Sequence, residues 1–273
     1  MRARLCATTA AALLLASCAT SAELSPTPEE EALSADLQER SIVPATADER
    51  AAIENQDLLT QAAFWAEAYD LNPGDREAAF KLSTVLRRLS NTERAAEIAR
   101  QALALYPEDA EIQTAYGLAL TASGRGQQAI EPLSRAQRTN PQDWRLANAL
   151  GVALDQSGHH ERAREQFETA LVMSGGEPSV MNNLALSHLL GGDPEAAEAL
   201  LRRAADRDEA GPEIRQNLAL ALALQGRFDE AETVALVDAT PEMARASLDY
   251  VRDLMSSGRS YDRLREMERQ GLR

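Results

Sequence analysis

Aromatic side chains are scarce in this chain, at 4% of 273 residues, although 44% of the residues are hydrophobic. A core must therefore be assembled from Ala and Leu, which suits close helix–helix packing better than a sandwich or a barrel. Basic residues are also short: 28 Lys and Arg face 43 Asp and Glu, for a net charge of −15, and Lys81 is the only lysine. So acidic a chain repels phosphate backbones and lacks the basic stripe that anionic lipid headgroups require, which argues against a nucleic-acid role. The two cysteines, Cys6 and Cys18, sit at the extreme N-terminus. The body of the chain thus has no disulfide framework and no Cys-based metal cluster.

What the chain does have is a repeat. Ala95, Ala129, Ala163, Ala197 and Ala231 recur every 34 residues. Twelve residues before each stands a small residue: Ser83, Gly117, Gly151, Ala185 and Ala219. Preceding these are Leu82, Tyr116, Leu150, Leu184 and Leu218; seven residues after them come the turn formers Ser90, Gly124, Gly158, Gly192 and Gly226. A unit of this length cannot bury its apolar face alone, so successive copies must stack.

Each copy reads as helix, turn, helix. In the third, Trp144–Asp155 is the first helix, because Ala147, Leu150, Gly151 and Leu154 recur at helical spacing. Ser157-Gly158 breaks it, and Glu161–Val172 follows with Ala163, Phe167 and Ala170 on its inner face. The small residue at 151 implies a close helix crossing, and Ala163 is expected to pack into the gap.

These residues resemble tetratricopeptide repeats, whose pattern is Trp-x₂-Leu-Gly-x₂-Tyr, then Ala-x₃-Phe-x₂-Ala, then Pro. The Trp position is taken by Ala79, Gln113, Ala147, Met181 and Arg215; the second-helix aromatic survives only as Phe167. The closing Ala is kept at Ala102, Ala136, Ala170 and Ala204 and lost at Asp238. The resemblance implies an all-α helical-hairpin solenoid with five repeats, at 76–109, 110–143, 144–177, 178–211 and a worn 212–240. Before them, 47–75 reads as a capping segment, with one helix over Ala47–Leu71 opened by a capping box of Thr46 and Glu49. After them, 241–273 reads as a degenerate hairpin with helices at Pro241–Ser256 and Tyr261–Gln270.

The N-terminus carries an address. Arg2 and Arg4 precede an apolar stretch, Leu5–Ala16, too short to span a bilayer as a helix. It ends in Leu15-Ala16-Ser17-Cys18, which resembles a bacterial lipobox, so residues 1–17 are expected to be removed and Cys18 to be lipidated. Ordinary signal-peptidase cleavage after Ala19 or Ala22, or retention as an uncleaved anchor, also fits these residues. Ala19, rather than Asp, after the cysteine implies sorting to the outer membrane, facing the periplasm. Residues 18–46 are polar, acidic and Pro-containing, and read as a flexible tether.

Function is expected on the first helices, which line the concave face in tetratricopeptide arrays. Projecting the family's groove positions names Phe80, Arg87, Arg88, Asn148, Asn182, Asn183, Leu186, Gln216, Asn217 and Leu220 as partner-binding. Asn148, Asn182 and Gln216 share one repeat position, and Asn183 and Asn217 the next. A row of amides donates and accepts at once, and so can hold an extended peptide backbone. The same Asn residues also fit a merely soluble or turn-capping role. Arg87-Arg88 could meet a carboxylate, or simply complement a helix dipole. His159-His160 reads as an exposed turn rather than a metal site, and His188 as a structural residue. No phosphate loop, Ser/His/Asp arrangement or paired carboxylates stand out, so neither enzyme activity nor a cofactor or metal is expected.

The segments Asn182-Asn183-Leu184-Ala185-Leu186, Glu198–Ala204, Arg215–Leu220 and Gln225–Glu232 further resemble the TadD lipoproteins of the tight-adherence (Flp) pilus system. That resemblance implies a protein partner, a secretin or another pilus-assembly subunit, supported in the manner of a pilotin, with outer-membrane lipid contacted through the acylated N-terminus. A general envelope adaptor, docking a peptidoglycan hydrolase or a barrel-assembly factor through the same groove, is the competing reading.

Overall fold

Turn residues at 34-residue spacing set where each helix stops. Gly124, Gly158, Gly192 and Gly226 take φ of 74°, 78°, 83° and 77°, a left-handed conformation that costs glycine little. Ser90 adopts the same conformation, at φ 61°, without that freedom. Carboxylates set where several helices start: Asp75, Asp109 and Asp143 each accept backbone N–H groups of the helix they precede. Pro178 and Pro212 take over at the later first helices, at the position where a missing N–H costs nothing.

The structure is a computed structural model and describes residues 46–207 and 210–256. Among these residues it contains helices only: α1 (Ala47–Ile53), α2 (Leu58–Leu71), α3 (Arg76–Arg88), α4 (Thr92–Leu105), α5 (Ala110–Ala122), α6 (Gly126–Thr139), α7 (Trp144–Gln156), α8 (His160–Ser174), α9 (Pro178–Gly191), α10 (Pro194–Ala205), α11 (Pro212–Leu224), α12 (Phe228–Ala235) and α13 (Pro241–Ser256). None is long and apolar enough to cross a membrane. The expected leader, Cys18, the tether and the helix at 261–270 lie outside the described residues.

The helices pair into hairpins, α3–α4 through α11–α12, each stacked on the next. First helices also touch the following first helices, whereas second helices make no comparable contact with one another. The first helices therefore form the crowded inner row. The five repeat alanines, Ala95 to Ala231, are fully buried.

Two expectations need correction. The segment Ala47–Leu71 is two helices, not one. Asp57 interrupts it, its carboxylate accepting from the Leu59 and Thr60 N–H groups and the Thr60 hydroxyl, so a local cap overrides the helical period. The capping box of Thr46 and Glu49 does form, on the short α1. Ala163 does not fill the space at Gly151: a Cβ there would stand 2.5 Å from Phe167 Cε1, so the ring one turn further on occupies it. Leu133 does the same at Gly117, again at 2.5 Å. Only in the first hairpin is the twelve-residue pair in direct contact through a hydrogen bond, with Ser83 Oγ donating to the Ala95 carbonyl at 2.9 Å.

The worn fifth repeat also has a physical explanation. Arg215 and Asp238 replace the consensus Trp and closing Ala, and they meet in a bidentate ion pair at 2.5 and 2.8 Å. One polar pair substitutes for one apolar contact.

Candidate partner-binding face

On α7, Leu146, Ala147, Ala149, Leu150, Gly151, Ala153, Leu154 and Asp155 are buried. Past its first turn, this leaves Asn148, Val152 and Gln156, four residues apart, as the open side. The same stripe recurs on neighbouring first helices. Its central members, Leu118, Val152, Leu186 and Leu220, are half-buried and pack against the core at their bases. An apolar strip thus runs across α5, α7, α9 and α11 on the inner row. Two clefts, of about 480 and 340 Å³, lie elsewhere and include no residue of this strip.

The amides expected to line this face are mostly engaged with one another. Asn183 Nδ2 donates to Asn148 Oδ1 at 3.0 Å, and Asn217 Nδ2 donates to Asn182 Oδ1 at 2.8 Å. The pairing joins residues 35 apart, not the equal repeat positions seen in sequence, because each first helix is staggered on the next. Asn182 is only 9% exposed. The expectation that all five amides are offered to a partner on the concave face is therefore corrected for Asn182, which is buried between α9 and α11. Gln216 is exposed, while Asn148, Asn183 and Asn217 are half-buried and retain unused hydrogen-bonding capacity.

At the other end, Phe80 is half-buried, with the Arg76 guanidinium 6.0 Å from its ring centroid. Arg76 also bonds Asp109 at 2.7 Å and pairs with Glu111, which ties α3 to α5. Arg87 is half-buried and Arg88 exposed. Burial, and then the neighbouring Arg88, push the Arg87 guanidinium below its usual value. No acid pairs with Arg87 among the described residues.

Sequence reasoning missed a buried polar junction. Asp155, at the end of α7, accepts from Ser187 Oγ on α9 at 3.0 Å and lies 2.8 Å from His160 Nδ1 on α8. Burial raises its pKa, opposed by the bonds from His160 and Ser187. The arrangement is a clasp, not a nucleophile and base, because the serine hydroxyl is directed to the carboxylate and not to the imidazole. Its only sequence trace is an Asp near a helix end, a common surface feature. His160 is thus partly tied down rather than freely exposed. His188 is half-buried, with burial holding its imidazole below the ordinary value against the pull of Asp193, 3.7 Å away. Among the described residues no group of three or more His, Cys, Asp or Glu is placed to hold a metal.

No curated protein matches the chain. Several solved structures share its architecture. PilW, described as a widely conserved type IV pilus biogenesis factor, is 20% identical with a TM-score of 0.61, covering 69% of this chain and 89% of its own. A thermophilic TPR protein of Thermus thermophilus is 23% identical with a TM-score of 0.52, over 60% of this chain and 90% of that one. MamA of Desulfovibrio magneticus RS-1 is 17% identical with a TM-score of 0.51, over 63% and 93%. At these identities the likeness is one of fold. The tetratricopeptide-repeat model matches in overlapping windows at 50–110, 80–144, 115–178, 148–212 and 182–244, spanning most of the chain with the same hairpins that present the inner strip, and the chain belongs to the tetratricopeptide-repeat family.

Proposed function

We propose that this protein is a periplasm-facing, outer-membrane lipoprotein whose inner face binds a secretin subunit and supports pilus assembly in the manner of a pilotin. The observation that carries the reading is the continuous strip Leu118, Val152, Leu186 and Leu220 on the inner row. Solvent reaches these side chains from one side only, which suits a polypeptide laid across several first helices. Leu15-Ala16-Ser17-Cys18 supports the membrane anchor, and the resemblance to TadD lipoproteins supports the pilus system. The structural likeness to PilW adds that this fold is compatible with work in pilus biogenesis.

The test is genetic and biochemical. Deleting the protein should leave the secretin mislocalised and the surface without pili. Leu186→Ala with Leu220→Ala should keep helicity by circular dichroism while weakening secretin capture roughly tenfold, the loss expected when buried apolar contacts are removed from an interface. A secretin correctly placed in the deletion strain would overturn the reading.

A further inference from the structure

We infer that the inner face takes an uncharged α-helix of its partner, lying across the first helices with an apolar stripe on the strip, and not an extended or a charged segment; this rests on the inner row being the partner-binding face. Charge is sorted between the two kinds of helix. Asp, Glu, Lys and Arg make up 26% of the chain, and α8 alone carries Glu161, Arg162, Arg164, Glu165 and Glu168. Past their first turns, α5, α7, α9 and α11 carry a single such residue, Asp155. It is buried and held by Ser187 and His160, which leaves no charged side chain along the strip. A charged partner segment would lose water there without meeting a counter-charge, whereas an uncharged one would not.

The hydrogen-bonding groups of the face select a helix over a strand. Leu118, Val152, Leu186 and Leu220 offer none, and the Thr114 hydroxyl donates to the Ala110 carbonyl of its own helix at 2.6 Å. Asn183 is joined to Asn148, and Asn217 to Asn182, so the amides spend part of their capacity on one another. An extended segment crossing the strip would bury backbone N–H and C=O groups against aliphatic side chains. A helix pairs those groups internally and presents side chains alone. Dimensions agree. Adjacent first helices touch, and packed helices lie roughly 8–10 Å apart, so the way from α5 to α11 is roughly 24–30 Å, or about 16–20 residues of helix. Seven residues of helix rise about 10.5 Å. An apolar residue at every seventh position, joined by neighbours three or four away, therefore meets one strip residue per first helix. The half-buried amides Asn148, Asn183 and Asn217 lie one turn from the strip on their helices and suit uncharged polar side chains at the rim.

Synthetic peptides of about 20 residues, built from Leu, Ala, Ser and Gln with both ends capped and an uncharged polyethylene glycol tail for solubility, test this on the full chain. The first places its leucines at helical spacing. The second has two central residues replaced by proline, which breaks the helix. The third and fourth have two polar residues bordering the stripe changed to Glu or to Lys, and all are compared at about 0.5 M salt, where long-range attraction is screened. By fluorescence anisotropy the first should bind roughly tenfold tighter than the others, and the infrared amide band of a carbon-13-labelled copy should be helical when bound. Leu186→Ala with Leu220→Ala should lower its affinity roughly tenfold. Val172→Ala, which trims a side chain 82% exposed on α8, should not. Circular dichroism establishes that both variants are folded, and a photoreactive leucine at the centre of the peptide should label α7 or α9 of the parent chain, a readout that needs no variant. No binding of the first peptide, equal binding of the proline or charged peptides, or labels confined to the second helices would overturn the inference. Secretin capture, measured in parallel, separates the two readings. A chain that takes the helical peptide on the strip but ignores the secretin refutes only the secretin; one that loses the secretin with Leu186→Ala and Leu220→Ala yet prefers the proline peptide refutes only the helix.

Discussion

Single side chains set the spacing of the array. Ser90 is the one member of the turn row that is not glycine, and it holds φ at 61°. An L-residue in this region costs on the order of 1 kcal/mol that glycine does not. Ser90→Gly is therefore expected to raise stability by about 1 kcal/mol, read as a higher urea midpoint with unchanged slope; a lower midpoint would show that the serine contributes something its backbone does not reveal. Gly151 is the converse case. A methyl group there meets Phe167 at 2.5 Å, inside a fully packed crossing. Gly151→Ala should cost roughly 1–3 kcal/mol, and Phe167→Leu in the same chain should return part of it. Additive losses in that double variant would mean that the ring is not what crowds the site.

Between elements, polar ties add to the apolar stacking. Asp75 caps α3 and binds Arg50; Asp109 caps α5 and binds Arg76. The bond from Arg50 is the leading influence holding the Asp75 carboxyl below the ordinary aspartate value, and the bond from Arg76 does the same for Asp109. A folded-state pKa below the unfolded one gives stability that is fully present above the unfolded value of 3.8 and is lost as pH falls through the folded value. Arg76→Gln should thus lower the melting temperature near neutral pH, and the gap to the parent should close as pH drops below about 4. A gap independent of pH would place the contribution of Arg76 in its packing over Phe80. Asp155 has the opposite sign, since burial raises its pKa; comparing parent with variant at each pH cancels that background.

For the molecule as a whole, the proposed anchor decides where the inner face works. If Cys18 bears the lipid, Cys18→Ser should move the protein from the membrane pellet to the soluble periplasmic fraction. Mass spectrometry that finds an unmodified mature start at Thr20 or Glu23 in the parent would contradict lipidation. An array of this kind is stabilised mostly between neighbours, so releasing it from the membrane should leave its melting temperature unchanged while pilus assembly is lost.

The sequence by itself determined the helix type, the 34-residue hairpin repeat and the buried alanine row. Those properties follow from periodicity and from turn residues, which act over a few positions along the chain. It also placed the open stripe on the first helices, because that stripe is what the apolar period leaves over. Tertiary structure decided the rest. Phe167 rather than Ala163 fills Gly151, since the crossing geometry selects which turn of the second helix arrives there. The amides pair at 35 residues instead of lining up at 34, because stagger between adjacent first helices is a property of packing. Asp155, Ser187 and His160 converge from three helices, and Arg87 is left half-buried without an acid. These are relations across space among residues that look ordinary in sequence, and only stacking brings them together or holds them apart.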